Sequence, residues 1–244
     1  MSDRGELKIY PDAQAVAAAT ADLFIDVGRQ AIAQRGAFRV ALSGGSTPRA
    51  AYELLAQPPR KTAIDWSAVH VYFGDERCVP PDDPESNFRM AHEAFLDAVP
   101  LPKENVNRIR GEADPGHAAN EYASLLRTEL GQPPHFDLVL LGLGPDGHTA
   151  SLFPGSAPDT DDNAMVRAVY AKSQDMWRVT VTPKVINAAA VVAFVVEGDA
   201  KSEILEKVYA GPVDVKEYPA QIVRPQSGRL LWIVDRRAAE LIHS

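Results

Sequence analysis

Short apolar runs alternate with longer stretches of helical spacing from one end of the chain to the other, and several of the runs are apolar nearly throughout rather than at every second position. A strand of that kind must be covered on both faces, so it belongs inside a mostly parallel sheet with helices above and below. The runs predict strands at Leu7 to Tyr10, Phe38 to Leu42, Val69 to Phe73, Phe136 to Leu141, Met165 to Tyr170, Val179 to Thr182, Ala190 to Val196 and Leu230 to Val234. Between them, helices are expected from about Asp12 to Gln34, from Pro48 through Leu55, from an N-cap at Ser86 to about Ala98, over Ala118 to Leu130 and over Lys201 to Tyr209. A short helix is expected after the last strand. The expected fold is therefore α/β, with three layers and a mostly parallel sheet carrying helices on both faces.

A chain of 244 residues can bury one large core or two small ones. The Pro-containing stretches at Gln57 to Lys61 and Val79 to Pro84 have the length of loops, not linkers, and no repeat or low-complexity tract is visible, so residues 1–244 read as one domain. The net charge of −8 argues against general nucleic-acid binding, which needs a basic face. It also means that an anionic substrate must be held by a few placed donors against the overall field. The lone Cys78 cannot form an internal disulfide, which favours a reducing compartment. The first residues are charged and lack the apolar core of a signal peptide, and Asp22, Asp26 and Arg29 interrupt the Ala-rich stretch before it could span a bilayer. The expectation is a cytoplasmic protein without membrane or nucleic-acid partners; monomer and homodimer both stay open.

In open α/β sheets ligands bind beyond the carboxyl ends of the strands. Four loops fall there. Ser43-Gly44-Gly45-Ser46-Thr47-Pro48 combines glycines, hydroxyls and a Pro suited to a first helical turn, which suits a phosphate cradle at a helix N-terminus. It lacks the Gly-Lys-Ser/Thr ending of a Walker A loop. A tight turn with a helix cap is the plainer reading of this segment alone. Gly74-Asp75-Glu76-Arg77 puts three charges at the end of an apolar strand: either a solvated strand end, or Arg77 gripping phosphate or carboxylate oxygens with Asp75 pointing at a sugar. Cys78 reads as a small buried residue rather than a nucleophile.

The third loop, Gly142 to Gly155, contains a formal G-x-G-x-x-G at Gly142, Gly144 and Gly147. A dinucleotide fingerprint needs a long helix afterwards, and Pro154-Gly155 stops this one within about two turns. The glycines leave Asp146 and His148 at the mouth of the sheet. His148, expected to open that short helix, suits general acid–base work, and a helix N-terminus would tend to keep it neutral. His70, inside a strand, reads as structural. In the fourth loop, Gly198-Asp199-Ala200-Lys201, Lys201 is either a solvated lysine or a reach toward an anion. Arg178 is either an exposed strand arginine or a second phosphate contact. No Cys/His cluster has zinc-ligand spacing, so no metal is expected.

These segments together resemble the 6-phosphogluconolactonase family over nearly the whole chain. The resemblance rests on Ser43 to Pro48, Gly74 to Pro80, Ser86-Asn87, Gly142 to Gly155, Trp177 to Thr180, Gly198 to Lys201 and Trp232 to Asp235. It implies a modified Rossmann-like fold, as in glucosamine-6-phosphate deaminase, and hydrolysis of 6-phospho-D-glucono-1,5-lactone without metal or organic cofactor. It also implies a general-base role for His148, with Asp146 orienting the histidine or the sugar. Ser43, Gly44, Gly45, Ser46, Thr47, Arg77, Arg178 and Lys201 would hold the phosphate. Two rivals remain. The deaminase has Asp-Glu-Tyr where this chain has Asp75-Glu76-Arg77 and a glutamate shortly after its histidine, whereas Thr149 to Gly155 contains no acid. A non-catalytic sugar-phosphate sensor usually carries a DNA-binding module, and no basic helix-turn-helix segment is visible.

Overall fold

A computed structural model describes residues 4–155 and 163–242. Seven parallel strands form the main sheet, in the order β1–β10–β9–β6–β2–β3–β5. They are β1 (Glu6–Tyr10), β2 (Phe38–Leu42), β3 (Val69–Phe73), β5 (Val106–Asn107), β6 (Leu138–Leu141), β9 (Val191–Val196) and β10 (Arg229–Asp235). A smaller antiparallel sheet takes β4 (Asp75–Arg77), β8 (Met176–Val181) and β7 (Val166–Ala171) in that order. The helices are α1 (Ala13–Arg35), α2 (Ser46–Leu55), α3 (Asn87–Ala91), α4 (Pro115–Leu130), α5 (Pro183–Ile186) and α6 (Ser202–Tyr209).

Alternation along the strands assigns the two faces. Phe38 of β2 meets Phe24 of α1 edge-on at 5.0 Å, with Trp66 and Phe95 completing that aromatic cluster. On the opposite face Tyr72 of β3 packs on Phe136, and burial aided by Glu129 of α4 pushes its phenol up to about 12. Farther along the sheet, Phe194 of β9 stacks on Trp232 of β10 at 4.0 Å. Helices thus cover both faces, as the apolar runs require. His70 is half-buried in β3, and burial, helped by Arg39, lowers its pKa, in keeping with a structural role.

Local chemistry sets the element ends. Asp12 accepts from Ala15 N to start α1, and Gly36 at φ 76° ends it. Asp114 accepts from His117 N with Pro115 at the first helical position, so α4 begins three residues before the expected Ala118. Ser86 accepts from Arg89 N as expected, and α3 runs on as a π-helical turn over His92–Leu96. One expected element does not form here. Residues 236–241 make turns rather than a helix: Asp235 accepts from Ala238 N, and a single i to i+4 bond from Ala239 N to Asp235 O gives way to i to i+3 bonds at Glu240 and Ile242. The strands expected near Met165 and Val179 do form, as β7 and β8, and they pair with each other and with β4 in the antiparallel sheet.

The strand order places the site. The chain adds β3 and β5 on one side of β2, then returns to lay β6 on its other side and adds β9 and β10 beyond. The reversal between β2 and β6 opens a crevice at their carboxyl ends. The loops after β9, β6, β2 and β3, four adjacent strands, are the four singled out from the sequence. Two buried tyrosines lock strand ends there. Tyr52 Oη accepts from Ser43 N and donates to Ser43 O, both at 3.0 Å. Tyr122 Oη does the same for Phe73 at 2.9 and 3.0 Å. Burial raises both phenols well above their ordinary range, so they stay protonated and keep donating.

Candidate active site

A cleft of about 250 Å3 lies over the reversal point, and Ser43, Gly44, Gly45, Ser46, Thr47, Asp75, Arg77, His148, Arg178 and Lys201 all line it. Asp146 is the one expected site residue outside the lining, and it acts on His148 directly.

The cradle is the turn from β2 into α2. Gly45, at φ 105°, caps α2 without a side-chain hydrogen bond, leaving the first-turn N–H groups for a ligand. Gly44 passes so close to Asn87 that a Cβ there would sit 2.0 Å from Asn87 Oδ1.

The loop after β6 differs from expectation. No helix follows His148: Gly147 has φ 81°, Ala150 has φ 48°, and Thr149 bridges to Leu152. A right-handed helix cannot run through left-handed residues. The helix-dipole argument for a neutral His148 falls with that helix. What orients the ring is Asp146, whose Oδ1 accepts from His148 N at 3.1 Å and contacts Nδ1 at 2.5 Å. An ionised carboxylate only accepts, so Nδ1 carries the hydrogen, and in the neutral ring Nε2 keeps its lone pair. The ring sits 4.8 Å from that of Phe153 and lies directly over Gly144. A methyl at 144 would approach Nδ1 to 2.1 Å and Cε1 to 2.2 Å, so the ring would have to leave. Gly144→Ala is expected to lower turnover by about 10²-fold while barely moving the melting temperature. Unchanged turnover would show that the ring position is unimportant.

Arg178 is not an exposed strand arginine; it is 5% exposed and directly opposite Arg77 across the β4–β8 ladder. Its guanidinium lies 5.8 Å over the Phe153 ring and donates to Gln174. Burial lowers its pKa, with Asp75 opposing that shift and Arg77 adding to it. Arg77 donates to the Glu85 carbonyl. Among the described residues, the Nε atoms of both arginines are buried without a hydrogen-bond partner. Lys201 sits in the turn before α6, a residue short of the helix, and its Nζ donates to Leu143 O at 2.8 Å. Burial lowers its pKa, with Asp146 opposing. Three cations thus converge on one cleft of an acidic protein.

Glu76 faces away from this chemistry. It is buried and accepts from the backbone N–H groups of Arg77, Asn87 and Phe88 and from Ser86 Oγ, which fixes the start of α3. Burial nevertheless raises its pKa. Cys78 is half-buried, and burial pushes its thiol up to about 11, so it is a poor nucleophile. Among the described residues no three His, Cys, Asp or Glu side chains are grouped to hold a metal, and no helix is long and apolar enough to cross a membrane.

Sequence reasoning missed three contributors. Asn87 lines the cleft with an unpartnered, buried Oδ1, Ser151 donates to Asp75, and Phe153 lies between His148 and Arg178. Asn87 stood in the sequence only as part of the Ser86-Asn87 match and beside the Ser86 N-cap, with no role assigned to it.

A 6-phosphogluconolactonase of Synechocystis sp. is 43% identical over 216 residues, covering 86% of this chain and 87% of that protein. The structure of 6-phosphogluconolactonase from Trypanosoma brucei superposes with a TM-score of 0.88 at 28% identity, covering 99% of this chain and 100% of that one. A monomeric glucosamine-6-phosphate deaminase shares the fold at 18% identity and a TM-score of 0.83, over 97% and 99% of the two chains. The profile of glucosamine-6-phosphate isomerases/6-phosphogluconolactonase matches residues 11–232, and the chain belongs to that family.

Proposed function

We propose that the chain is a carboxylic ester hydrolase that converts 6-phospho-D-glucono-1,5-lactone to 6-phospho-D-gluconate, the lactone-opening step of the oxidative pentose phosphate pathway. The observation that carries this reading is the Asp146–His148 pair, 2.5 Å apart, in the same cleft as Arg77, Arg178 and Lys201. The phosphate lies against the first turn of α2 and these cations. That anchorage holds the C1 carbonyl before His148 and turns an encounter with water into a positioned reaction. His148 Nε2 takes a proton from water as the oxygen adds to C1, and Asp146 steadies the resulting imidazolium. The tetrahedral intermediate then collapses, the bond from C1 to the ring oxygen breaks, and the imidazolium returns its proton to that oxygen. The new carboxylic acid gives its proton to solvent. No step calls on a metal or an organic cofactor.

The deaminase reading lacks its acid, since residues 149–155 contain none. The same proposal takes residues 1–244 as one cytoplasmic domain, monomeric or homodimeric. The test is lactone hydrolysis followed beside the spontaneous reaction. Turnover well above background is expected; release of ammonia from glucosamine 6-phosphate without lactone turnover would select the rival instead.

A further inference from the structure

Arg77 and Arg178 are registered directly opposite each other in the β4–β8 ladder. Like charges so placed destabilise a sheet, and burial of Arg178 deprives it of the water that would screen the repulsion. Asp75 lies two residues before Arg77 on the same face of β4, the diagonal neighbour of Arg178. The residue is 5% exposed, and both carboxylate oxygens are engaged by the protein. Oδ2 accepts from Ser151 Oγ at 2.6 Å and lies 3.6 Å from Arg178 Nη1; Oδ1 accepts from Asn87 Nδ2 at 3.2 Å. A sugar hydroxyl would have to compete with these protein donors for the carboxylate.

We infer that Asp75 is the built-in counter-ion of Arg178, a positioning residue that keeps this guanidinium at the cleft between turnovers, and that it does not grip the sugar. The inference rests on the reading that the cleft binds a phosphate monoester. With Asp75 in place, a bound phosphate shares Arg178 with a resident anion, which keeps the product from binding too tightly. With Asp75 neutral, phosphate becomes the sole counter-ion of two facing arginines, and by linkage it must bind tighter and stabilise more.

Asp75→Asn, nearly the same shape without the charge, separates these roles in the intact chain. In phosphate-free buffer its melting temperature is expected about 10 °C below wild type. Inorganic phosphate, measured by calorimetry, is expected to bind it about tenfold tighter than wild type and to recover most of that loss. In an Arg178→Gln background the same substitution is expected to cost about 2 °C or less, because the charge it would strand is gone. Equal destabilisation in both backgrounds, or phosphate affinity no higher than wild type, overturns the inference. So does an unchanged melting temperature and phosphate affinity with turnover reduced 100-fold, which would place Asp75 at the sugar. If the single variant does not fold, recovery of folding in the double variant supports the inference, and failure of both counts against it. If phosphate does not stabilise wild type, the phosphate-site reading fails, while the phosphate-free comparison still judges the counter-ion.

Discussion

Replacing His148 with alanine is expected to lower kcat for 6-phospho-D-glucono-1,5-lactone by about 10²–10⁴-fold, the usual contribution of a positioned general base. KM should change far less, because the cradle, Arg77, Arg178 and Lys201 are untouched. The fold should survive: the imidazole is half-buried, and its one hydrogen-bond partner among the described residues, Asp146, is exposed. The lactone also opens unaided, so the rate must be read as the excess over the uncatalysed reaction, for both proteins at matched pH. A variant retaining wild-type excess would remove His148 from the mechanism. A variant that loses KM and kcat together would make the residue part of binding instead.

Gly44→Ala should act on binding. Its new Cβ would sit 2.0 Å from Asn87 Oδ1, 2.6 Å from Cγ and 2.9 Å from Nδ2. Asn87 cannot yield easily, since Nδ2 donates to the Asp75 carbonyl at 2.9 Å and its backbone N–H is held by Glu76 at 2.7 Å. The cradle must therefore move, and a shift of that order is expected to lower kcat/KM by about 10²-fold, mainly through KM. Adding Asn87→Ala frees the space and should recover at least about tenfold relative to Gly44→Ala, a non-additivity that only neighbours in contact produce. Unaltered KM in Gly44→Ala, or a double variant no better than Gly44→Ala, would refute the close approach.

Much of the fold is legible in the sequence because parallel strands buried on both faces must be apolar. Phe38–Leu42 and Val69–Phe73 begin and end where their residues suggest. The antiparallel sheet is not legible in the same way. Val179 and Val181 look like core-strand residues, but their strand pairs with β7 and with β4, the latter only three residues long and composed of charges, Asp75-Glu76-Arg77. No periodicity can report such a strand. The four site loops could be found because they follow strands whose adjacency a simple topology enforces. The conformation inside them could not: Ala150 takes a left-handed φ that nothing in Thr-Ala-Ser announces, and it removes the helix expected after His148. Arg178 shows the limit of residue type as a guide, since an arginine between apolar neighbours gives no sign of being buried until its counter-ion is located.

The reversal of strand order between β2 and β6 has a metric consequence. These two strands are direct neighbours, bonded in register at Val40 with Leu138 and Ala41 with Val139, and they carry the Ser43 turn and the His148 loop. On the proposed reading, the turn that would hold the phosphate and the loop that carries His148 leave the sheet from strands one ladder spacing apart, about 4.8 Å. A ladder does not stretch when distant loops lengthen or helices shift. On that reading the sheet would work as a caliper, and ligands whose phosphate and carbonyl lie at another separation would be mis-set however well either end binds.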